Sequence, residues 1–285
     1  MAHDVCGAGQ KRRWRVERPN WAPGDIDLER PSVARVYDYW LGGAHNFAAD
    51  RAVGQQALEI MPELRDVILN HRSFLRRVVR HLLGMGVRQF LDLGSGIPTV
   101  GNVHEIAQSA DPAAKIAYVD VDPVAVAHSR SLLSGNERVS VLQADVRDPA
   151  AVLTAPEVTG LLDFDEPVAV LMIALLHFVS DEEDPVGIIA GYRDRLAPGS
   201  FVAISHAGYE ADEETGSYRA ARSVYDRGVT PMTYRNGAEF TRLFEGLELV
   251  EPGVVRLPAW HPESPDDLGE PGRPFPAFGA VGRKA

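Results

Sequence analysis

An apolar run that turns directly into a glycine-rich loop constrains this chain more than any other feature. The run at 87–93 leads into DLGSG (92–96), and a helix-like pattern starts at Asn102. Glycine has no Cβ, so the backbone can turn tightly and approach a ligand closely there. This is the strand, loop and helix order of a nucleotide-binding βαβ unit. Because Asp92 precedes the glycines and Asp120 ends the next apolar run, the pattern predicts an adenosine-containing cofactor.

Strand and helix patterns alternate after this point. Apolar runs at 87–93, 115–120, 138–146, 167–178 and 201–206 predict five strands separated by helices. Two further strand patterns, within 247–257 and 276–284, have no helix between them, so they must pair antiparallel or lie far apart. We therefore expect an α/β fold with a doubly wound, mostly parallel sheet and an antiparallel hairpin at its C-terminal edge.

The chain before the first strand divides into two parts. Residues 1–25 are polar with scattered Gly and Pro, and we expect a poorly ordered leader. Residues 26–86 contain three helical patterns, of which the third has apolar residues at three- and four-residue spacing. We expect 26–86 to form a helical cap or lid over the strand ends of a domain made by 87–285.

Composition excludes several classes of protein. The formal net charge is −11, whereas a nucleic-acid binder usually shows a basic face. No apolar run reaches the roughly 18 residues that span a membrane, and the first residues lack the apolar segment of a signal peptide. The single cysteine, Cys6, excludes an internal disulfide. We expect a cytoplasmic protein that binds neither nucleic acid nor membrane; its oligomeric state is not readable from sequence.

The glycine loop itself discriminates between cofactors. A dinucleotide needs its pyrophosphate at the helix N-terminus, usually with a third glycine in GxGxxG. Thr99 holds that place here. S-adenosylmethionine has no phosphate but carries a carboxylate, an ammonium and a sulfonium, so a GxG turn surrounded by acids suits it better. An NAD(P)-dependent oxidoreductase is the weaker alternative.

Acidic residues at successive strand ends supply the predicted cofactor contacts. Ligands of such sheets bind outside the carboxyl ends of the strands. Asp120 is expected to accept the ribose hydroxyls, Asp145 the adenine amino group, and Asp92 to reach the amino-acid portion directly or through water. Arg72 is a candidate partner of the methionine carboxylate, and Asp122 is predicted to cap the next helix. The remaining predicted cofactor-binding residues are Gly94, Ser95, Gly96, Val121, Val146 and Tyr37.

Longer motifs resemble a known family. They are ARVYDYWLGGAHNFAADR (34–51), NHRSFLRRVVRHL (70–82), FLDLGSGIPTVGNVHEIAQ (90–108), YVDVDPVAVAHSRSLL (118–133), LQADVRDP (142–149) and VGRK (281–284). The chain resembles class I S-adenosylmethionine-dependent methyltransferases over 87–285. More narrowly, it is similar to the actinobacterial S-adenosyl methyltransferase family of unassigned substrate over nearly everything after residue 25. The resemblance implies seven strands with a terminal hairpin, S-adenosylmethionine as cofactor and S-adenosylhomocysteine as product.

The methyl acceptor is not identified by any motif. We expect an O, N or C atom of a small molecule, because the Asn/Asp-Pro-Pro-Tyr/Phe stretch of amino-methylating DNA enzymes is absent after the fourth strand. His177 ends that strand and is the candidate catalytic residue, as general base or substrate orienter; His206 is a weaker candidate. The cap aromatics Tyr39 and Trp40 are either core residues or, with Asn46, part of a lid. A regulatory protein that binds the cofactor without turnover remains the alternative function.

Overall fold

An eight-stranded sheet forms the centre of the molecule. The computed structural model describes Gly24 and residues 26–99, 101–268 and 275–285. Apart from Gly24, the expected leader at 1–25 lies outside the described residues. The helices are α1 (Val33–Trp40), α2 (Ala48–Ile60), α3 (Leu64–Gly84), α4 (Val103–Ala110), α5 (Pro123–Leu132), α6 (Pro149–Thr154), α7 (Pro156–Thr159), α8 (Pro185–Arg195), α9 (Gly216–Gly228) and α10 (Gly237–Arg242). The strands are β1 (Gln89–Leu93), β2 (Lys115–Asp120), β3 (Val139–Gln143), β4 (Ala169–Ile173), β5 (Phe201–Ala207), β6 (Glu248–Leu249), β7 (Val255–Arg256) and β8 (Ala277–Arg283).

The strand order confirms the predicted fold class. The order is β3-β2-β1-β4-β5-β8-β6, and β7 also pairs with β8. The first five strands pair in parallel, whereas β8 is antiparallel to β5, β6 and β7. The order reverses between β1 and β4, which is the point where such sheets open a crevice at the carboxyl ends of their strands.

The last antiparallel element differs from the single strand expected within 247–257. It forms two short strands on the same side of β8, in which Leu249 pairs with Gly282 and Val255 with Gly279. Pro252 and Gly253 lie in the intervening turn. Since proline cannot donate a ladder hydrogen bond, the strand is interrupted there.

Two apolar layers cover the sheet. On one face, Leu91 and Val119 pack with residues of α6, α7, α8 and α10. On the other face, Phe90 and Ile116 pack with α3, α4 and α5 and with the fully buried Trp260. The alternation of Phe90 and Leu91 between the two layers follows from the two-residue period of a strand.

A buried ion pair holds the first two helices together. Ser32 caps α1, since its hydroxyl accepts the Arg35 backbone N–H. The Arg35 guanidinium lies 3.0 Å from the Asp50 carboxylate, and both side chains are buried. Asp50 also accepts the backbone N–H groups of Ser32 and Phe47. This carboxylate therefore connects the start of α1 to the start of α2.

Candidate active site

A cleft of about 710 Å³ opens at the carboxyl ends of β1 to β4, beneath α1. We call it the strand-end cleft. All ten residues predicted to bind the cofactor line it: Tyr37, Arg72, Asp92, Gly94, Ser95, Gly96, Asp120, Val121, Asp145 and Val146. The sheet topology explains this convergence, because neighbouring parallel strands end at one edge.

The glycine loop forms the floor of the strand-end cleft. Gly94 and Gly96 have φ values of +68° and +66°, which non-glycine residues rarely adopt. The Gly94 N–H donates to Val119 O at 2.8 Å, so the loop is fastened to the end of β2. A Cβ on Gly94 would lie 2.6 Å from Leu175, whereas one on Gly96 would meet nothing within 4 Å. A side chain at position 94 would therefore displace Leu175, while Gly96 presents bare backbone next to open space.

Asp120 holds the loop and faces the cleft at the same time. Its carboxylate accepts the Gly96 N–H at 2.7 Å and the Asp122 N–H at 2.8 Å. Burial is the main reason that the pKa of Asp120 is raised to about 6, while these backbone hydrogen bonds lower it. Each carboxylate oxygen has a second lone pair available, so Asp120 can still accept two ligand hydroxyls.

Asp92 is a buried carboxylate without a hydrogen bond from the described residues. It is only 6% exposed, and that exposure is to the strand-end cleft. Burial raises its pKa to about 7, an increase that the nearby Arg72 opposes and Asp120 reinforces. Buried charges in proteins are normally paired. A cationic or donating ligand group in the cleft would supply the missing partner.

Asp145 lies at the opposite end of the cleft, after β3. Arg147 donates to both of its carboxylate oxygens, from Nε at 2.9 Å and from Nη2 at 2.6 Å. Arg147 also bonds Glu183, and its side-chain hydrogen bonds are the main reason that the pKa of Asp145 is lowered. Asp122, as predicted, caps α5 by accepting the Val124 N–H at 2.7 Å.

The cap contributes Arg72 and Tyr37 to the cleft but not its other predicted polar residues. Arg72 Nη2 donates to Gly101 O at 2.7 Å, which places this side chain beside the glycine loop. Asn46 instead donates to the buried Asp38. Asp38 also accepts the Thr99 hydroxyl at 2.9 Å. Thr99, which stands where a third loop glycine would be, therefore connects the cap to the loop.

The aromatic residues Tyr39 and Trp40 do not line the strand-end cleft. The Tyr39 hydroxyl donates to Gln55, and the Trp40 indole N–H donates to Gly54 O, both in α2. Both side chains thus join α1 to α2, and Trp40 also lines the second cavity described next.

A second, smaller cavity of about 80 Å³ adjoins the cleft between α1, α3, α9 and the ends of β4 and β5. We call it the inner chamber. Tyr37, Ala174 and Phe178 line both spaces, and we call this shared lining the doorway. Ala174 has a φ of +53° although it is not a glycine. Strained backbone of this kind clusters at functional sites.

His177, the predicted catalytic residue, lies in the inner chamber and does not line the strand-end cleft. Its Nδ1 accepts the Ala207 N–H at 3.4 Å. Burial holds the pKa of His177 well below its usual value, so the ring is neutral. His71 of α3, which no sequence pattern singled out, also lines this chamber and bonds Ser205 Oγ through Nδ1 at 2.7 Å.

The other histidines named from sequence make scaffold contacts. His206 Nε2 accepts from the buried Arg235 at 2.7 Å. His104 Nδ1 lies 2.8 Å from the hydroxyl of Tyr118. Neither histidine lines the cleft or the chamber.

Two negative findings apply to the described part of the chain. Across 26–99, 101–268 and 275–285, no three His, Cys, Asp or Glu side chains are grouped so that they could ligate a metal ion. Over the same residues, every helix is too short or too polar to cross a bilayer.

Comparisons with known proteins point to one family. The family model described as S-adenosyl methyltransferase matches residues 19–285. A candidate methyltransferase from Thermobifida fusca is 37% identical, with a TM-score of 0.87 over 93% of this chain and 99% of that one. A DUF574 family protein from Streptomyces avermitilis is 40% identical, with a TM-score of 0.86 over 91% and 99%.

A more distant solved structure shares the fold. Human N-acetylserotonin methyltransferase, solved in complex with SAM, is 16% identical, with a TM-score of 0.50 over 90% of this chain and 63% of that one. No curated protein matches the sequence significantly.

Proposed function

The chain belongs to the S-adenosyl methyltransferase family, and we propose that it transfers the methyl group of S-adenosylmethionine to an O, N or C atom of a small-molecule acceptor. The observation that carries the proposal is the buried Asp92 carboxylate, which accepts no hydrogen bond from the described residues and faces the strand-end cleft. A cofactor with an ammonium group fits that position, because the ammonium would pair with the carboxylate.

The adenosine half of the cofactor is assigned to the ends of β2 and β3. Asp120 accepts the ribose hydroxyls with the lone pairs that Gly96 and Asp122 leave available. Asp145 accepts the adenine amino group, as Arg147 keeps its carboxylate ionised. Further contacts around the nucleoside come from the backbone of the glycine loop and from Ser95, Val121 and Val146. This assignment is supported by their position in the lining of one cleft.

The amino-acid half is assigned to the side of the cleft nearest the cap. Asp92 pairs with the ammonium, and Arg72 pairs with the carboxylate through its guanidinium. The hydrogen bond from Arg72 to Gly101 O supports this arrangement, because it holds the guanidinium beside the loop. Tyr37 covers the cofactor from α1 and excludes water from its reacting end.

The protein's part in the chemistry is positioning. The cofactor supplies a methyl group that its sulfonium already activates. The chain must therefore hold an acceptor atom in line with that methyl at near-attack distance, in a dry site. His177 acts in this scheme as a substrate orienter, since its ring is neutral and its Nδ1 is engaged by Ala207.

The domain roles belong to the same proposal. Residues 87–285 form the cofactor-binding domain and 26–86 its helical cap, an arrangement supported by the hydrogen bond between Thr99 of the loop and Asp38 of α1. A cytoplasmic location fits a small-molecule enzyme of this type, and an actinobacterial origin is supported by the sources of the two similar structures.

Titration calorimetry tests the proposal. The protein should bind S-adenosylmethionine and S-adenosylhomocysteine and fail to bind NAD. Asp120→Ala should weaken binding more than tenfold, while Asp165→Ala, at a residue whose side chain is 89% exposed, should leave it unchanged. Absence of binding by folded protein would reject the function, and unchanged affinity of Asp120→Ala would reject the ribose assignment. Turnover on any acceptor would exclude a purely regulatory role.

A further inference from the structure

The inner chamber is lined mainly by aromatic and aliphatic side chains. The aromatic members are Tyr37, Trp40, Phe178, Tyr218, Tyr225 and Tyr234. Aromatic rings bind other rings in offset or edge-to-face contacts. An apolar lining disfavours an anion, because the anion loses its hydration there without gaining a hydrogen-bonded partner. The lining therefore favours a flat, apolar ligand.

The chamber holds almost no charge. Arg222 is the one lining residue with a permanent charge; its side chain is 40% exposed, pairs with Asp226 at 3.4 Å and lies over the Tyr234 ring. Burial raises the pKa of Tyr37 to about 12 and that of Tyr225 further, so both phenols stay protonated. An anionic ligand would lose its hydration, while the lining cation Arg222 already pairs with Asp226. A cationic ligand would be repelled by the same guanidinium.

Two neutral imidazoles, His71 and His177, line this space. His177 Nδ1 accepts the Ala207 N–H, which leaves the ring proton on Nε2. Ser205 Oγ already accepts the Ala174 N–H. Donation of the Ser205 hydroxyl proton to His71 Nδ1, 2.7 Å away, satisfies both groups, and on this basis we assign the ring proton of His71 to Nε2. Burial lowers the pKa of His71 to about 3, which keeps its ring neutral.

The same contacts place both imidazoles beside the doorway. Ser205 joins His71 to the backbone of Ala174, and His177 directly precedes Phe178, whose ring centroid is 4.3 Å away. Both rings have used their basic nitrogen, so neither is available to take a proton from an acceptor. The chamber offers hydrogen-bond donors near the transfer point but no general base.

We propose that the inner chamber binds the methyl acceptor, and that this acceptor is a neutral aromatic molecule whose nucleophilic atom reacts at the Ala174 doorway without prior deprotonation by the protein. The inference rests on the proposed function, which supplies the methyl donor in the adjoining cleft. His71 and His177 donate hydrogen bonds to acceptor atoms of the ligand other than the reacting one.

The step balances without an added base. A lone pair of the acceptor atom forms the bond to the methyl carbon, the S–CH₃ bond breaks, and its electron pair returns to sulfur to give a neutral thioether. An amine or hydroxyl acceptor then loses its proton to water. No oxidant or reductant takes part.

The volume of the chamber limits the size of a ligand that can enter without movement of the lining side chains. Its roughly 80 Å³ compares with about 150 Å³ for a cavity that admits benzene. Met61 and Met232 also line it, and methionine side chains adapt readily to fill or vacate space. We therefore expect one ring to enter, with movement of these side chains.

Phenol binding to protein saturated with S-adenosylhomocysteine tests the inference, with benzoate as the charged counterpart of similar size. Phenol should bind at least tenfold more tightly than benzoate in ligand-detected NMR titrations. Ala221→Leu, which fills the chamber from α9, should reduce phenol affinity at least tenfold and leave S-adenosylhomocysteine affinity unchanged. The same change at exposed Ala220, one residue earlier, should alter neither.

Should Ala221→Leu not fold, Ala57→Val fills the chamber from α2, with exposed Ala52→Val as its control. Benzoate binding as tightly as phenol, or phenol affinity unaffected by filling the chamber, would overturn the inference while S-adenosylhomocysteine binding upheld the proposed function. Failure to bind S-adenosylhomocysteine would reject the proposed function, and the inference with it.

Discussion

Cofactor affinity should fall steeply as the pH drops below 7, because the Asp92 carboxylate must be ionised to pair with an ammonium. Burial raises the pKa of Asp92 to about 7 in the free protein. A carboxyl whose pKa is raised on folding favours the protonated folded state, so its contribution to stability is present at low pH and is lost as the pH rises toward 7. Pairing with the cofactor reverses this preference and favours the ionised form.

The size of the effect follows from the two raised pKa values. If only ionised Asp92 binds, apparent affinity falls about 25-fold between pH 7.5 and pH 5.5. Asp120, with a pKa raised to about 6, adds a further loss of about fourfold over the same range. The two effects act on different halves of the ligand, since Asp92 is assigned to the amino-acid portion and Asp120 to the ribose.

Calorimetry with two ligands separates these contributions. S-adenosylhomocysteine should lose about 100-fold in affinity between pH 7.5 and pH 5.5. 5′-Methylthioadenosine, which lacks the amino-acid portion, should lose only about fourfold. Asp92→Asn should reduce the pH dependence of the first ligand to that of the second. Equal pH dependence of the two ligands with unaltered protein would refute the pairing of Asp92 with the ammonium.

Three further outcomes test other parts of the structure. Gly94→Ala should lower the free energy of unfolding more than Gly96→Ala, since only the Cβ at Gly94 meets a side chain. Gly96→Ala should act mainly on cofactor affinity. Denaturation and calorimetry distinguish the two variants, and equal losses of stability would contradict the packing argument. Arg35→Met leaves the buried Asp50 carboxylate without its countercharge and should lower the free energy of unfolding, measured by urea denaturation, by about 3–5 kcal/mol. A loss under about 1 kcal/mol would show that the ion pair contributes little to stability. In ¹⁵N NMR at pH 5, His71 should be neutral with its proton on Nε2, and a doubly protonated ring would reject the assigned hydrogen bonds.

The convergence of the predicted cofactor-binding residues on one cleft was predictable, because its signals are local in sequence. Each strand of the parallel sheet brings the residues that follow it to the same edge, so Asp92, Asp120 and Asp145 could be placed together from strand positions alone. The glycine spacing carried similar information, since left-handed backbone at Gly94 and Gly96 is what a tight turn at that edge requires.

The inner chamber was not predictable in the same way. His71 and Ser205 are 134 residues apart, and nothing in either segment indicates the contact. The left-handed backbone of Ala174 could not be predicted from the residue type, because alanine rarely adopts that conformation. His177 was expected to end the fourth strand, whereas β4 ends at Ile173 and His177 lies in a 3₁₀ turn at Leu176–Phe178. Its Nδ1 accepts the Ala207 N–H, a tertiary contact that no sequence pattern indicates.

The cap motif shows why its polar residues could not be divided between ligand binding and structure from sequence. Asn46 and Asp38 are buried polar groups that satisfy one another. From sequence, a buried structural network and a ligand-binding set have the same composition. The expectation of one unbroken strand within 247–257 was wrong for a simpler reason: Pro252 was present in that segment, but its effect on pairing was not weighed against the apolar residues around it.

The interrupted strand also bears on how copies of this protein behave at high concentration. A long, flat outer strand presents a row of unpaired N–H and C=O groups on which a second chain can extend the sheet. Here that border consists of β6 and β7, two residues each, separated by the turn around Pro252. A neighbouring chain could form only a few consecutive ladder bonds before meeting the turn, so the break in the strand limits aggregation through this edge of the sheet.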